Sequence, residues 1–175
     1  MIGKLLNRIT KALDAAEIPF MVSGSMALIV YTVPRMTRDI DIVIELRQED
    51  IKRFCAIFNE GYYIDSLTVE EEVQRKGMFN VIDFETGYKI DFMVKKDNFY
   101  RKTEFQRRVK GVVMGCETWL VTLEDLVISK LIWIQELQSD RQMSDIENLL
   151  ENPNIDMEYI NYWRKELNLN TFKLL

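Results

Sequence analysis

The chain has 175 residues, 47% hydrophobic and 29% charged, with a net charge of −5. That length can bury one substantial core, and the composition is that of a globular chain and not of a disordered or fibrous one. The acidic balance argues against a protein coated for bulk nucleic-acid binding, and the lack of histidine, with only Cys55 and Cys116 at no metal-like spacing, argues against zinc.

In chain order, Ile2, Leu5, Leu6, Ile9, Leu13 and Ala16 fall at helical spacing, which predicts an amphipathic helix over 2–17. Pro19 to Val22 reads as a short apolar strand that turns at Gly24-Ser25 into a helix from Met26 to Tyr31. Asp39 to Ile44 reads as a second strand, with Asp39, Asp41 and Val43 on one face and Ile40, Ile42 and Ile44 on the other. A helix over 49–59 follows, closed by Glu60-Gly61. Residues 67–76 are charge-rich and read either as a short helix or as an exposed loop. Met78–Phe84 and Tyr88–Val94 are predicted strands joined at Glu85-Thr86-Gly87.

Farther on, Val112–Met114 and Trp119–Val121 predict one or two more short strands. They bracket a basic segment carrying Arg101, Lys102, Arg107, Arg108 and Lys110, which reads either as a solvated helix face or as a platform for an RNA backbone. From Thr122 the pattern is helical, with Thr122 as N-cap and Asp125 three residues on. Further helices are predicted over about 141–151 and 156–167. No apolar run approaches the ~20 residues of a membrane span, so a cytoplasmic protein with reduced thiols is expected. These elements predict an α+β fold, a mixed sheet flanked by helices. Residues 1–121 form the expected core, and 122–175 a helical subdomain packed on it.

Two features carry chemistry. Asp39 and Asp41 stand about 7 Å apart along one strand face and repel unless a cation lies between them. The helix start at Gly24-Ser25 offers backbone N–H groups and a hydroxyl that suit phosphate. Lys130 adds a third oddity: it lies on the apolar stripe of its helix and must snorkel, pair or reach into a cleft. Asp145, beside the Met143/Ile146/Leu149 face of the next helix, is its candidate partner.

Gly24-Ser25, thirteen residues, Asp39-Ile40-Asp41-Ile42, then a lone acid in Ile90-Asp91-Phe92 resembles the signature of the DNA polymerase β-like nucleotidyltransferase superfamily. The resemblance implies the nucleotidyltransferase fold. It also implies transfer of a nucleoside monophosphate from an NTP to a hydroxyl, with Mg²⁺ or Mn²⁺ held by Asp39, Asp41 and Asp91 as the catalytic acids. It assigns Gly24 and Ser25 to the nucleotide, with Arg38 or Arg35 near the triphosphate. The 123–131 helix and the Ser144-Asp-Ile-Glu segment are similar to the C-terminal part of abortive-infection (type IV toxin) nucleotidyltransferases, which implies a nucleotide-binding role for Lys130 and Asp145. That likeness makes RNA, such as a tRNA 3′ end, the first expected acceptor, with a cognate antitoxin as partner. Transfer to a small molecule, as in antibiotic nucleotidyltransferases, a protein acceptor, and a non-catalytic nucleotide-binding module are the alternatives.

Overall fold

A computed structural model describes residues 1–175. Helix α1 (Ile2–Ala15) buries Ile2, Leu5, Leu6, Ile9 and Leu13 along one stripe and leads into strand β1 (Phe20–Val22). Helix α2 (Gly24–Tyr31) follows after a single residue, so it begins two residues earlier than its apolar pattern predicts and takes Gly24 into its first turn. Strand β2 (Asp39–Ile44) has the predicted bounds. The helix expected over 49–59 is a 3₁₀ turn, Gln48–Asp50, continued by α3 (Ile51–Ile57).

After β3 (Tyr62–Tyr63), the charge-rich segment forms helix α4 (Ser66–Arg75), capped by the Asp65 carboxylate, which accepts from the Leu67 N–H. Strands β4 (Met78–Asp83) and β5 (Lys89–Val94) form the expected pair. The basic segment is divided between helix α5 (Phe99–Gln106) and strand β6 (Val109–Val113), with β7 (Cys116–Leu120) next. Helices α6 (Leu123–Glu136), α7 (Asp140–Leu150) and α8 (Met157–Glu166) complete the chain. The Thr122 hydroxyl accepts from the Asp125 N–H at 3.3 Å, as its capping pattern predicts. No helix is long and apolar enough to cross a membrane.

The seven strands form one mixed sheet in the order β3-β4-β5-β2-β1-β7-β6. β2 and β5 run parallel and in register from Asp39↔Lys89 to Ile44↔Val94. One sheet face is sealed by α1, α3 and α4 over a cluster holding Ile40, Ile42, Ile44, Ile90, Phe92 and Val94. Phe54, Phe58, Phe79 and Phe92 meet there at centroid distances of 5.0–5.6 Å, a geometry that adds to simple area burial. The opposite face is covered only in part. A second cluster joins Met21, Ala27 and Leu28 to Leu126, Val127, Leu131 and Ile134 of α6 and to residues of α7 and α8. The outward faces of β2 and β5 lie beside this second cluster, and the acids lie on them.

Candidate active site

Strand alternation puts Asp39, Asp41, Lys89 and Asp91 on the same side of the sheet. Parallel pairing sets Asp41 directly across from Asp91 and Asp39 across from Lys89. Asp91 is buried, Asp41 half-buried and Asp39 exposed. Burial pushes the Asp41 carboxyl up from its usual range; the Ser25 N–H and Lys130 oppose that shift, and the charges of Asp91 and Asp39 add to it. The Lys89 ammonium lies 2.9 Å from Asp91 Oδ2. That hydrogen bond, with the charges of Asp91, Asp39 and Asp41, holds Lys89 above its ordinary value against a desolvation cost. Sequence analysis did not single out Lys89 as a site residue, although alternation already placed it on the acid face.

Gly24 packs against this carboxylate cluster. Its φ is +54°, and a Cβ built on it would lie 2.0 Å from Asp41 Oδ2. Only glycine combines that left-handed conformation with so close an approach. The Ser25 N–H donates to Asp41 Oδ2 at 3.2 Å, and the Ser23 N–H to the Asp41 carbonyl at 2.9 Å. The turn and the acid strand are thus one structural unit, and an anion at the helix start would compete with Asp41 for the Ser25 amide.

A second knot stands beside the first. Lys130 Nζ lies 2.8 Å from Asp145 Oδ2 and donates also to Gln142 Oε1 at 2.8 Å. Arg35 donates to both Asp145 oxygens, at 2.8 and 2.7 Å, and to Ser25 Oγ at 2.8 Å. Burial alone would raise the Asp145 carboxyl, but the hydrogen bonds and charges of Arg35 and Lys130 together hold it below its usual range. Desolvation lowers Lys130, with Asp145 opposing. Of the two arginines considered for the triphosphate, Arg35 touches Ser25, whereas Arg38 is exposed and makes none of these contacts. Arg35 Nη1 is buried without a hydrogen-bond partner, so the guanidinium has a donor to spare.

The donor set suits a hard divalent cation in kind: three carboxylates, with Asp41 destabilised as an anion chiefly by burial and further by the charges of Asp91 and Asp39. The three do not converge into a ready-made three-ligand group, and a cation at Asp91 would meet the Lys89 ammonium. Binding therefore requires side-chain rearrangement around Asp91.

A family model described as a nucleotidyltransferase of unknown function (DUF6036) matches residues 1–170. The chain belongs to this family. It is an enzyme of the nucleotidyltransferase class. Among solved structures, the antibiotic-resistance factor ANT(2'')-Ia aligns with a TM-score of 0.65 at 15% identity, over 94% of this chain and 90% of that one. The lincosamide antibiotic adenylyltransferase LnuA, solved with lincomycin bound, aligns at 0.55 and 15% identity, over 85% and 96%. TM1012 from Thermotoga maritima, a candidate nucleotidyltransferase, aligns at 0.53 and 16% identity, over 94% and 91%. At these identities the likeness is one of fold. No curated protein matches the sequence.

The DUF6036 nucleotidyltransferase does not present its basic segment as the single free platform that an RNA backbone would need. Arg101 donates to both Glu104 oxygens and to Ser129 Oγ. Arg107 pairs with Asp125 at 3.0 Å and stacks over the Tyr159 ring. Arg108 lies over Phe105 and Trp119, and Lys110 over Trp119. Only Lys102 is exposed without such contacts. The cause is long-range pairing: Asp125 and Tyr159 come from α6 and α8, far along the chain.

Proposed function

We propose that this nucleotidyltransferase moves a nucleoside monophosphate from an NTP to a hydroxyl on a small acceptor. The observation that carries the reading is the apposition of Asp41 and Asp91 across parallel strands, with Gly24 pressed against the Asp41 carboxylate. Asp39, Asp41 and Asp91 would hold Mg²⁺ or Mn²⁺, which supplies charge compensation at the α-phosphate and the departing pyrophosphate. Gly24 lets the backbone approach the β- and γ-phosphates, and the Ser25 N–H turns from Asp41 to a phosphate oxygen. The spare donor of Arg35 serves the same phosphates. Asp145 positions both Arg35 and Lys130. The acceptor oxygen bonds to the α-phosphorus as the bond to the bridging oxygen breaks. Pyrophosphate leaves with that electron pair, and the hydroxyl proton passes to Asp91.

Small-molecule transfer is preferred to the toxin-like, RNA-directed form because Arg101 and Arg107 are neutralised within the fold. ANT(2'')-Ia, which has been solved with adenylyl-2''-tobramycin, illustrates small-molecule transfer on this fold. The test is calorimetric titration with each of the four NTPs in Mg²⁺ or Mn²⁺, followed by pyrophosphate release with acceptor mixtures. One NTP is expected to bind and to yield pyrophosphate that depends on acceptor. Binding of none would remove the reading, and binding without turnover under any acceptor mixture would favour a non-catalytic module. Growth arrest on expression, with label transferred to tRNA, would restore the toxin reading and its antitoxin.

A further inference from the structure

The two edges of the sheet are built differently. Strand β3 ends one side with only two residues, Tyr62–Tyr63, and so short an edge offers little backbone to pair with. Strand β6 ends the other with five, Val109–Val113, and neither a proline nor a bulge interrupts it. It turns into β7 through Met114 and Gly115, both left-handed at φ +51° and +78°, a two-residue turn of the kind that fixes hairpin register.

That register decides which backbone groups are left over. Val113 and Cys116 flank the turn as a hydrogen-bonded pair, so the positions of β6 bonded to β7 are Val109, Gly111 and Val113. The N–H and C=O groups of Lys110 and Val112 point away from β7, and no other segment bonds to them. The side chains here are apolar for an outer surface: Val109 is 42% exposed, Val112 62% and Met114 52%. A lysine commonly guards such an edge. The Lys110 ammonium, however, lies 4.5 Å from the centre of the Trp119 ring, turned inward over β7 and away from the edge.

The edge is complementary to itself. Antiparallel pairing about a two-fold axis through Gly111 sets Lys110 opposite Val112 of a second copy, and Val112 opposite its Lys110. These are the residues with unused groups, so four backbone hydrogen bonds form. The axis stands perpendicular to the sheet, so Glu117, Val112, the partner's Lys110 and the partner's Trp119 fall in one row on one face. Glu117 is exposed and pairs with no cation of its own chain. Two strand spacings, about 10 Å, separate it from the partner's Lys110, a gap that the two side chains span together. Centring the pairing on Lys110 would oppose two ammonium groups, and centring it on Val112 would run Lys110 into the turn. We propose that β6 is a dimerisation edge, which joins two copies of this chain into one fourteen-stranded sheet with both carboxylate faces on the same side. The two-fold contact closes on itself, so association stops at two chains. It does not depend on the reaction proposed above.

The test is sedimentation equilibrium of the full chain from about 1 µM to about 0.2 mM, the range in which small interfaces assemble, with hydrogen exchange followed at the β6 amides. The mass is expected to rise from one chain to two. Over the same range the Lys110 and Val112 amides should slow about fivefold or more, and the Gly111 amide, already bonded within the hairpin, much less. Val112→Pro removes an outward N–H that the hairpin does not use, and Val112→Lys sets a charge on the edge. Each should weaken association about tenfold or more; the lysine variant covers the case in which proline disturbs the hairpin. Lys110→Glu, which turns a carboxylate toward Glu117, should also weaken it, and adding Glu117→Lys should restore it. A single chain at every concentration overturns the proposal. So does a dimer that survives both Val112 variants, association without slowed exchange at Lys110 and Val112, or a mass that climbs past two chains.

Discussion

Strands β2 and β5 present two faces made from alternate residues of the same short segments, and the faces obey opposite rules. Ile40, Ile42, Ile44, Ile90, Phe92 and Val94 are 0–3% exposed and meet only apolar neighbours. Asp39, Asp41, Lys89 and Asp91, one position out of phase, gather like charge that no full set of partners neutralises. The inward face supplies stability through burial. The outward face spends some of it on a carboxylate held above its usual range, which is the pattern of a functional site. One strand register satisfies both, because a slip of a single residue would exchange the faces.

Substitutions should therefore separate the faces. Asp41→Asn is expected to lower turnover about a thousandfold or more while the thermal midpoint stays level or rises, since a like-charge contact is relieved. A midpoint that falls with activity would mean that Asp41 is structural. Phe92→Ala should do the reverse, costing about 3–5 kcal/mol of stability, read from the urea midpoint. Nucleotide affinity per folded molecule should be unchanged. Gly24→Ala links the two faces: the left-handed backbone alone costs about 1–2 kcal/mol, and its Cβ must displace Asp41. It should lose stability and NTP affinity together, a pairing that neither of the first two variants shows.

The acid strands were legible because their residues alternate without interruption, which sets Asp39 and Asp41 on one face of their strand and Asp91 on the polar face of its own; that Asp91 stands beside the other two was implied only by the resemblance to the polymerase β-like signature. The Thr122 cap was legible for a similar local reason. Arg35 was not singled out above Arg38, because it lies on an irregular link between α2 and β2 and its place is set by α7 packing across the site, 110 residues away. The partners of the basic segment were hidden for the same reason. Five cations within ten residues look free in one dimension, whereas Asp125 and Tyr159 reach Arg107 from later helices. Residues 1–121 and 122–175 pack together through Met21, Ala27 and Leu28, which share a buried cluster with α6. A chain ending at Val121 is expected to expose those side chains and to aggregate; a soluble, cooperatively folding fragment would establish 1–121 as independent.

The smallest expected effect concerns Asp145, which has no part in the acid face but holds Lys130 and Arg35 beside it. Its carboxyl lies below the usual range in the folded chain because, despite the upward pull of burial, it accepts from both cations. A depressed folded value means that the unfolded chain binds the proton more readily. The carboxylate's contribution is therefore complete above the unfolded carboxylate range, near about pH 4, and is lost as pH falls through that range toward the folded value. Asp145→Asn keeps an acceptor oxygen but removes the charge. Urea midpoints measured from pH 6 to pH 3 should show the wild-type chain losing stability faster than the variant, with the two curves converging at the acid end. Parallel curves would mean that Arg35 and Lys130 gain nothing from the charge of Asp145, and that this knot is held by hydrogen-bond geometry alone.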